Sequence, residues 1–240
     1  MSFSRRFAAI AAAAVLVLAA CSDDDDIAET GDGPTTTQAP ETTTTAAPEP
    51  TAPAELEQPA IWPAADVVFA TPGEAAEDFV AQVLGVEPSL GAFRAGDSRS
   101  GEIEVFSPGE GGGSAVSRSL LLLRQLGPDS GWFVIAAVNE NAAFTAPESG
   151  TEVPAGPLAV EGLGRGFEAT VVLTARVVGA ASELDMVITS GGALEDPEPF
   201  TETLDLSGAT SGDTVLLLVR GGTGLESDPG DFGAIPVVIQ

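Results

Sequence analysis

Phe167-Glu168-Ala169-Thr170-Val171-Val172-Leu173-Thr174-Ala175-Arg176-Val177-Val178 reads as one long β-strand. It is rich in β-branched residues and lies between Gly166 and Gly179. Alternation puts Phe167, Ala169, Val171 and Leu173 on one face and Glu168 on the other, the period of a half-buried strand. Comparable runs cover 157–163, 183–188, 200–206, 214–219 and 235–239, each bounded by Gly, Pro, Asp or Ser. Many short strands at near-regular spacing predict an all-β sandwich over 144–240. Its expected interior holds Val160, Phe167, Val171, Leu173, Leu204, Leu206, Leu216, Leu218 and Val237. Gly162, Gly164 and Gly166 read as a β-turn between strands. A dinucleotide-binding glycine run leads from a strand into a helix, whereas here the chain goes on as a strand.

Upstream, residues 61–143 read as a small α+β domain, one helix laid on an antiparallel sheet. Ala76, Phe79, Val80, Val83 and Leu84 recur at helical spacing between Gly73 and Gly85. Thr71 suits the N-cap, Pro72 the first turn, Glu74 and Glu77 the positive end of the helix dipole, and Gly85 the stop. Strands are expected over 101–106, 115–126 and 132–138, the last two joined through Gly127-Pro128-Asp129-Ser130-Gly131 as a hairpin. Residues 61–240 are about 180 in number, enough for one large domain or two small ones; the change to strands alone near Phe144 favours two.

The first 60 residues are of another kind. Arg5-Arg6, an apolar run from Phe7 to Ala20, and small residues before Cys21 form an export signal, with cleavage expected after Ala20. The run is too short to span a bilayer as a helix, which takes about 20 apolar residues. The Arg pair also hints at twin-arginine export. Cys21 is the chain's one cysteine, so it has no internal disulfide partner. From Ser22 to Ala60 the composition is acidic and Thr/Pro-rich, beginning with Asp23-Asp24-Asp25-Asp26. Such a segment buries too little apolar surface to offset the entropy of ordering and is expected to be a disordered tether, residues 21–60, reaching up to roughly 100 Å when extended.

Composition excludes much chemistry. The chain has no His and no Lys; its nine basic residues are all Arg, set against 36 acids for a net charge of −27. Removal of the signal takes Arg5 and Arg6 and no acid. Such a surface repels nucleic acid and anionic headgroups. Without His there is no Ser-His-Asp triad and no His-ligated zinc, and without Lys no Schiff base or phosphate-loop lysine. No catalytic residue, cofactor or metal is expected. The acid groups that come nearest to a Ca²⁺ site are Glu226, Asp228 and Asp231 in one loop and Glu195, Asp196 and Glu198 in another; neither has EF-hand spacing. Arg94, Asp97 and Arg99 suggest an anion clamp or, more simply, surface ion pairs. Trp132, at a strand start, reads as core.

Leu18-Ala19-Ala20-Cys21 resembles the bacterial lipobox, which implies that Cys21 receives a diacylglyceryl group and becomes the first residue of the mature chain. Two acyl chains suffice for stable anchoring. Ala146-Pro147-Glu148-Ser149-Gly150, then Pro157-Leu158-Ala159-Val160-Glu161-Gly162, then Gly166-Phe167-Glu168, with Pro199-Phe200 further on, resemble the immunoglobulin-like domain of bacterial spore germination proteins. The resemblance covers 144–240. Ala146 stands where that family has Ser, and the usual turn before the last strand is present only as Glu226-Ser227-Asp228-Pro229-Gly230-Asp231. It implies a sandwich used as an interaction module without catalytic residues. The resulting expectation is an extracytoplasmic, lipid-anchored, non-catalytic envelope protein acting as a tethered interaction or scaffold module, related to spore germination or envelope assembly. Its partners would be the membrane, through the lipid, and an envelope protein or the cell wall. The alternative is a small-ligand-binding or enzymatic first domain, with a pocket between helix and sheet.

Overall fold

The computed structural model describes residues 56–108, 113–193 and 196–240. Ala20, Cys21 and the expected signal lie outside the described residues, as do Asp23 to Asp26 and most of the expected tether. Residues 56–60, placed in the tether by composition, belong to the folded unit. Ala60 is buried with Leu126 and Phe133, and Leu56 packs on them. The Glu57 carboxylate accepts the Gly127 N–H at 2.8 Å.

The helix forms where its capping residues predict. The Thr71 hydroxyl accepts the Glu74 N–H at 3.3 Å, and the Glu74 carboxylate accepts the Thr71 N–H at 3.0 Å. This reciprocal box satisfies two donors that the first turn leaves open. Helix α1 runs Pro72–Phe79 and continues as a π-helical segment, Val80–Leu84, ended by Gly85 at φ 70°. Its buried side carries Ala75, Ala76 and Phe79, followed by Val80 and Leu84.

The strands, in chain order, are β1 (Arg94–Ala95), β2 (Ser100–Ser107), β3 (Val116–Leu126), β4 (Gly131–Val138), β5 (Ala142–Ala146), β6 (Glu152–Val153), β7 (Pro157–Gly166), β8 (Thr170–Val177), β9 (Asp185–Ser190), β10 (Gly192–Ala193), β11 (Glu198–Asp205), β12 (Thr214–Gly221) and β13 (Phe232–Ile239). The first sheet has the order β1-β2-β3-β4-β13-β12-β8-β9, with β6 added beside β13. The second is built on β7, flanked by β5 and β11, with β10 alongside in parallel. The described chain is thus mostly antiparallel sheet with one short helix, and the two sheets face each other as in a sandwich. The β4–β13 pairing, at Ala137 and Ala234, carries one sheet across the expected divide at 143/144. The described residues all belong to one compact unit.

Strand β12 explains how one sheet serves two interiors. Val215, Leu217 and Val219 face the second sheet with Val160, Val171, Leu173, Phe200, Leu204 and Val237. Leu216 and Leu218 point the other way, into the layer beneath α1, with Phe79, Ile103, Leu121, Val134 and Phe232. Leu216 and Leu218 are buried as expected, but in this second interior rather than inside the sandwich. A strand covered on both faces is apolar throughout, as Val215 to Val219 is.

Two further expectations are corrected. Phe167 is 48% exposed, not inside the sandwich. It opens a 3₁₀ turn, Phe167–Ala169, in which Glu168 and Ala169 have positive φ (54° and 59°). The alternation that places Phe167 inward holds only for extended backbone; the left-handed pair breaks it, and β8 starts at Thr170. Nor do Gly162, Gly164 and Gly166 form a turn: all three lie within β7. Their lack of a side chain permits close packing, since a Cβ on Gly162 would overlap the Ala143 carbonyl and the Phe200 ring.

Candidate functional site

The densest set of charged groups in the described fold gathers where β3, the end of β7 and the loop between β12 and β13 meet. Its organiser is Arg118. In the β2–β3 pairing, Val105 faces Ser119 and Phe106 faces Ser117, so Arg118 is the extra residue of a β-bulge. A bulge re-aims the side chain it carries. Here the guanidinium turns to the β12–β13 loop, where it pairs with Asp228 and, through Nη1, with Asp231 Oδ1 at 3.4 Å. Its Nε donates to the Oγ of buried Ser107 at 3.0 Å, and its backbone carbonyl accepts from Asn139 Nδ2 at 2.7 Å. From the other side, Arg165 Nε reaches Asp231 Oδ2 at 2.9 Å. Asp231 therefore bridges two arginines, one from each sheet.

The loop's local chemistry holds the acids in place. The Asp228 carboxylate accepts the Gly230 N–H at 2.9 Å, and the Asp231 carbonyl accepts the Gly221 N–H at 2.8 Å. Gly230 has φ 71°, and a Cβ there would overlap the Gly221 carbonyl, so both conformation and space call for glycine. The side chains of Asp228 and Asp231 are each 8% exposed, those of Arg118 and Arg165 18% and 25%. Two cations and two anions so placed neutralise one another. A cavity of about 110 Å³ lies beside them, lined by Arg118, Arg165, Thr223, Asp231 and backbone glycines.

The residues singled out from sequence are distributed as follows. Asp228 and Asp231 come together, but with arginines; Glu226 stays exposed on the loop. Asp196 and Glu198 are exposed, and Glu195 lies outside the described residues. No group of three or more His, Cys, Asp or Glu converges among the described residues. Arg94 pairs with Glu102 at 3.0 Å and Arg99 with Glu57 at 3.4 Å, all well exposed, the kind of pair worth little. Asp97 caps its own turn, accepting the Arg99 N–H at 2.8 Å; this bond, chiefly, holds its pKa below the ordinary value. The clamp of Arg94, Asp97 and Arg99 is not assembled. Trp132 is buried, edge-on to Phe93 at 5.3 Å. Arg118, Arg165, Ser107 and Asn139 were not singled out from sequence; their partners lie as far as 113 residues away. No helix among the described residues is long and apolar enough to cross a membrane.

Comparison with protein-family models, with curated proteins and with solved structures returns no match.

Proposed function

We propose that this chain is a non-catalytic lipoprotein of the cell envelope, a tethered interaction or scaffold module. In this reading the signal is cut after Ala20, Cys21 carries the lipid, and the following segment holds the folded unit outside the membrane. Residues 61–143 act as an α+β domain and 144–240 as an immunoglobulin-like sandwich, sharing one sheet. The partner is an envelope protein or the cell wall, in spore germination or envelope assembly; the net charge of −27 disfavours nucleic acid.

The observation that carries the non-catalytic reading is the mutual neutralisation of Arg118, Asp228, Asp231 and Arg165 across the two sheets. Carboxylates committed to two arginines are poor general acids or bases. The layer beneath α1 agrees with it, being filled by Phe79, Val80, Ile103, Leu121 and Phe232. The anchor is tested by Cys21→Ser. The variant is expected to lose incorporation of a labelled fatty acid and to leave the membrane fraction. Unchanged labelling or membrane retention would contradict the reading.

A further inference from the structure

On the outer face of the first sheet, beside the end of the helical segment, lies a groove of about 260 Å³. Its floor is Val172, Thr174 and Leu218, from paired strands β8 and β12; Val83 and Leu84 wall it on one side and Met186, half-exposed on β9, on the other. Three charged residues line it: Arg176, Arg220 and Glu183. The Arg176 guanidinium is engaged, donating to the Gln82 carbonyl at 3.1 Å and lying 3.5 Å from Glu183. Arg220 is less so. Its one hydrogen bond among the described residues runs from Nη1 to the Leu84 carbonyl at 3.1 Å, and no described carboxylate is in ion-pairing range. Burial draws its pKa downward, against the weaker pull of Glu183 and Asp228. A guanidinium has five N–H donors, so most of Arg220's hydrogen-bonding capacity is left over.

A second group points the same way. Thr174 is 9% exposed, lines the groove, and its hydroxyl makes no hydrogen bond among the described residues. No buried side-chain nitrogen or oxygen among the described residues lacks a partner, so this hydroxyl opens to the solvent of the groove, where a ligand can reach it. Strand pairing sets Thr174 opposite Leu218 and Val172 opposite Arg220, so the two donors lie diagonally on one face, next to apolar side chains. Two arginines against one glutamate leave the groove one positive charge in a strongly acidic protein.

We propose that this groove binds a small organic monocarboxylate, its carboxylate held by the Arg220 guanidinium and the Thr174 hydroxyl and its apolar tail laid against Val83, Val172 and Met186. The single excess charge matches a monoanion, and Glu183 at the rim opposes a dianion such as sulfate. The apolar wall selects a tail of several carbons. The proposal is independent of the lipoprotein reading.

The test is calorimetric titration of the full chain with sodium hexanoate, hexan-1-ol and sodium sulfate at constant ionic strength. Hexanoate is expected to bind saturably, with hexanol and sulfate weaker by about tenfold or more. Thr174→Val, nearly isosteric, and Arg220→Gln should each weaken hexanoate by about tenfold or more. Met186→Glu, at a half-exposed position, sets a carboxylate against the tail and should weaken it comparably. No saturable hexanoate binding, hexanol or sulfate binding as well as hexanoate, or undiminished binding in Met186→Glu and Thr174→Val would each overturn the proposal.

Discussion

Asp231→Asn tests the charged seam between the sheets. The asparagine keeps the size of the side chain, removes the charge, and turns an NH₂ group toward one of the two guanidinium groups that Asp231 bridges. Breaking a buried pair by removing one partner costs about 3–5 kcal/mol. Arg118 and Arg165 keep 18% and 25% side-chain exposure, so water reaches them and the cost falls at the lower end, about 3 kcal/mol. For a unit of this size that is a fall in Tm of roughly 6–12 °C. Urea denaturation and calorimetry of the full chain measure it, with Glu226→Gln, exposed on the same loop, as control at no more than about 0.5 kcal/mol. A double-mutant cycle of Asp231→Asn with Arg165→Met should give a coupling above about 1 kcal/mol. If Asp231→Asn cost no more than Glu226→Gln, the seam would not be a stabilising network and the reasoning from it would fail.

Phe200 is 4% exposed and sits edge-on to Phe144 at 6.1 Å; Phe200→Ala should cost about 3–5 kcal/mol. Phe167→Ala, in the exposed turn, should stay within about 0.5 kcal/mol by the same denaturation assay; equal costs would show the placement of Phe167 outside the core to be wrong. The Glu57 carboxyl is held below its ordinary value of 4.5, first by the Gly127 N–H and more weakly by Arg99. A depressed folded pKa contributes stability that is present above the unfolded value and lost as pH falls through the folded one. Glu57→Gln should therefore flatten the loss of stability below pH 4.5; an unchanged acid limb would sever Glu57 from the fold.

The local features were the legible ones. Thr71, Pro72, Glu74 and Gly85 mark the helical segment because capping chemistry acts within one turn. Its passage from α to π after Phe79 left no mark in the apolar spacing. The strand positions followed from turn residues and alternation, but which interior a strand fills did not. Val215 to Val219 has no polar face to set its phase, so Leu216 and Leu218 could not be assigned to the layer under α1. Glycine was ambiguous for a related reason. It serves positive φ and close approach alike, and Gly162 and Gly166 are in β7 for the second reason. The seam was the least legible. Arg118 owes its direction to a bulge, and it meets Asp228 across 110 residues of chain.

The lipid anchor, on which the proposed function rests, is decided by the mass of the N-terminal peptide. The protein would be extracted with detergent from membranes of cells that express it, digested, and analysed by mass spectrometry. The expected first residue is Cys21, carrying a diacylglyceryl group on Sγ, with no peptide from residues 1–20. An N-terminal peptide that retains Ala20 joined to Cys21, or one that begins at an unmodified Cys21, would contradict it.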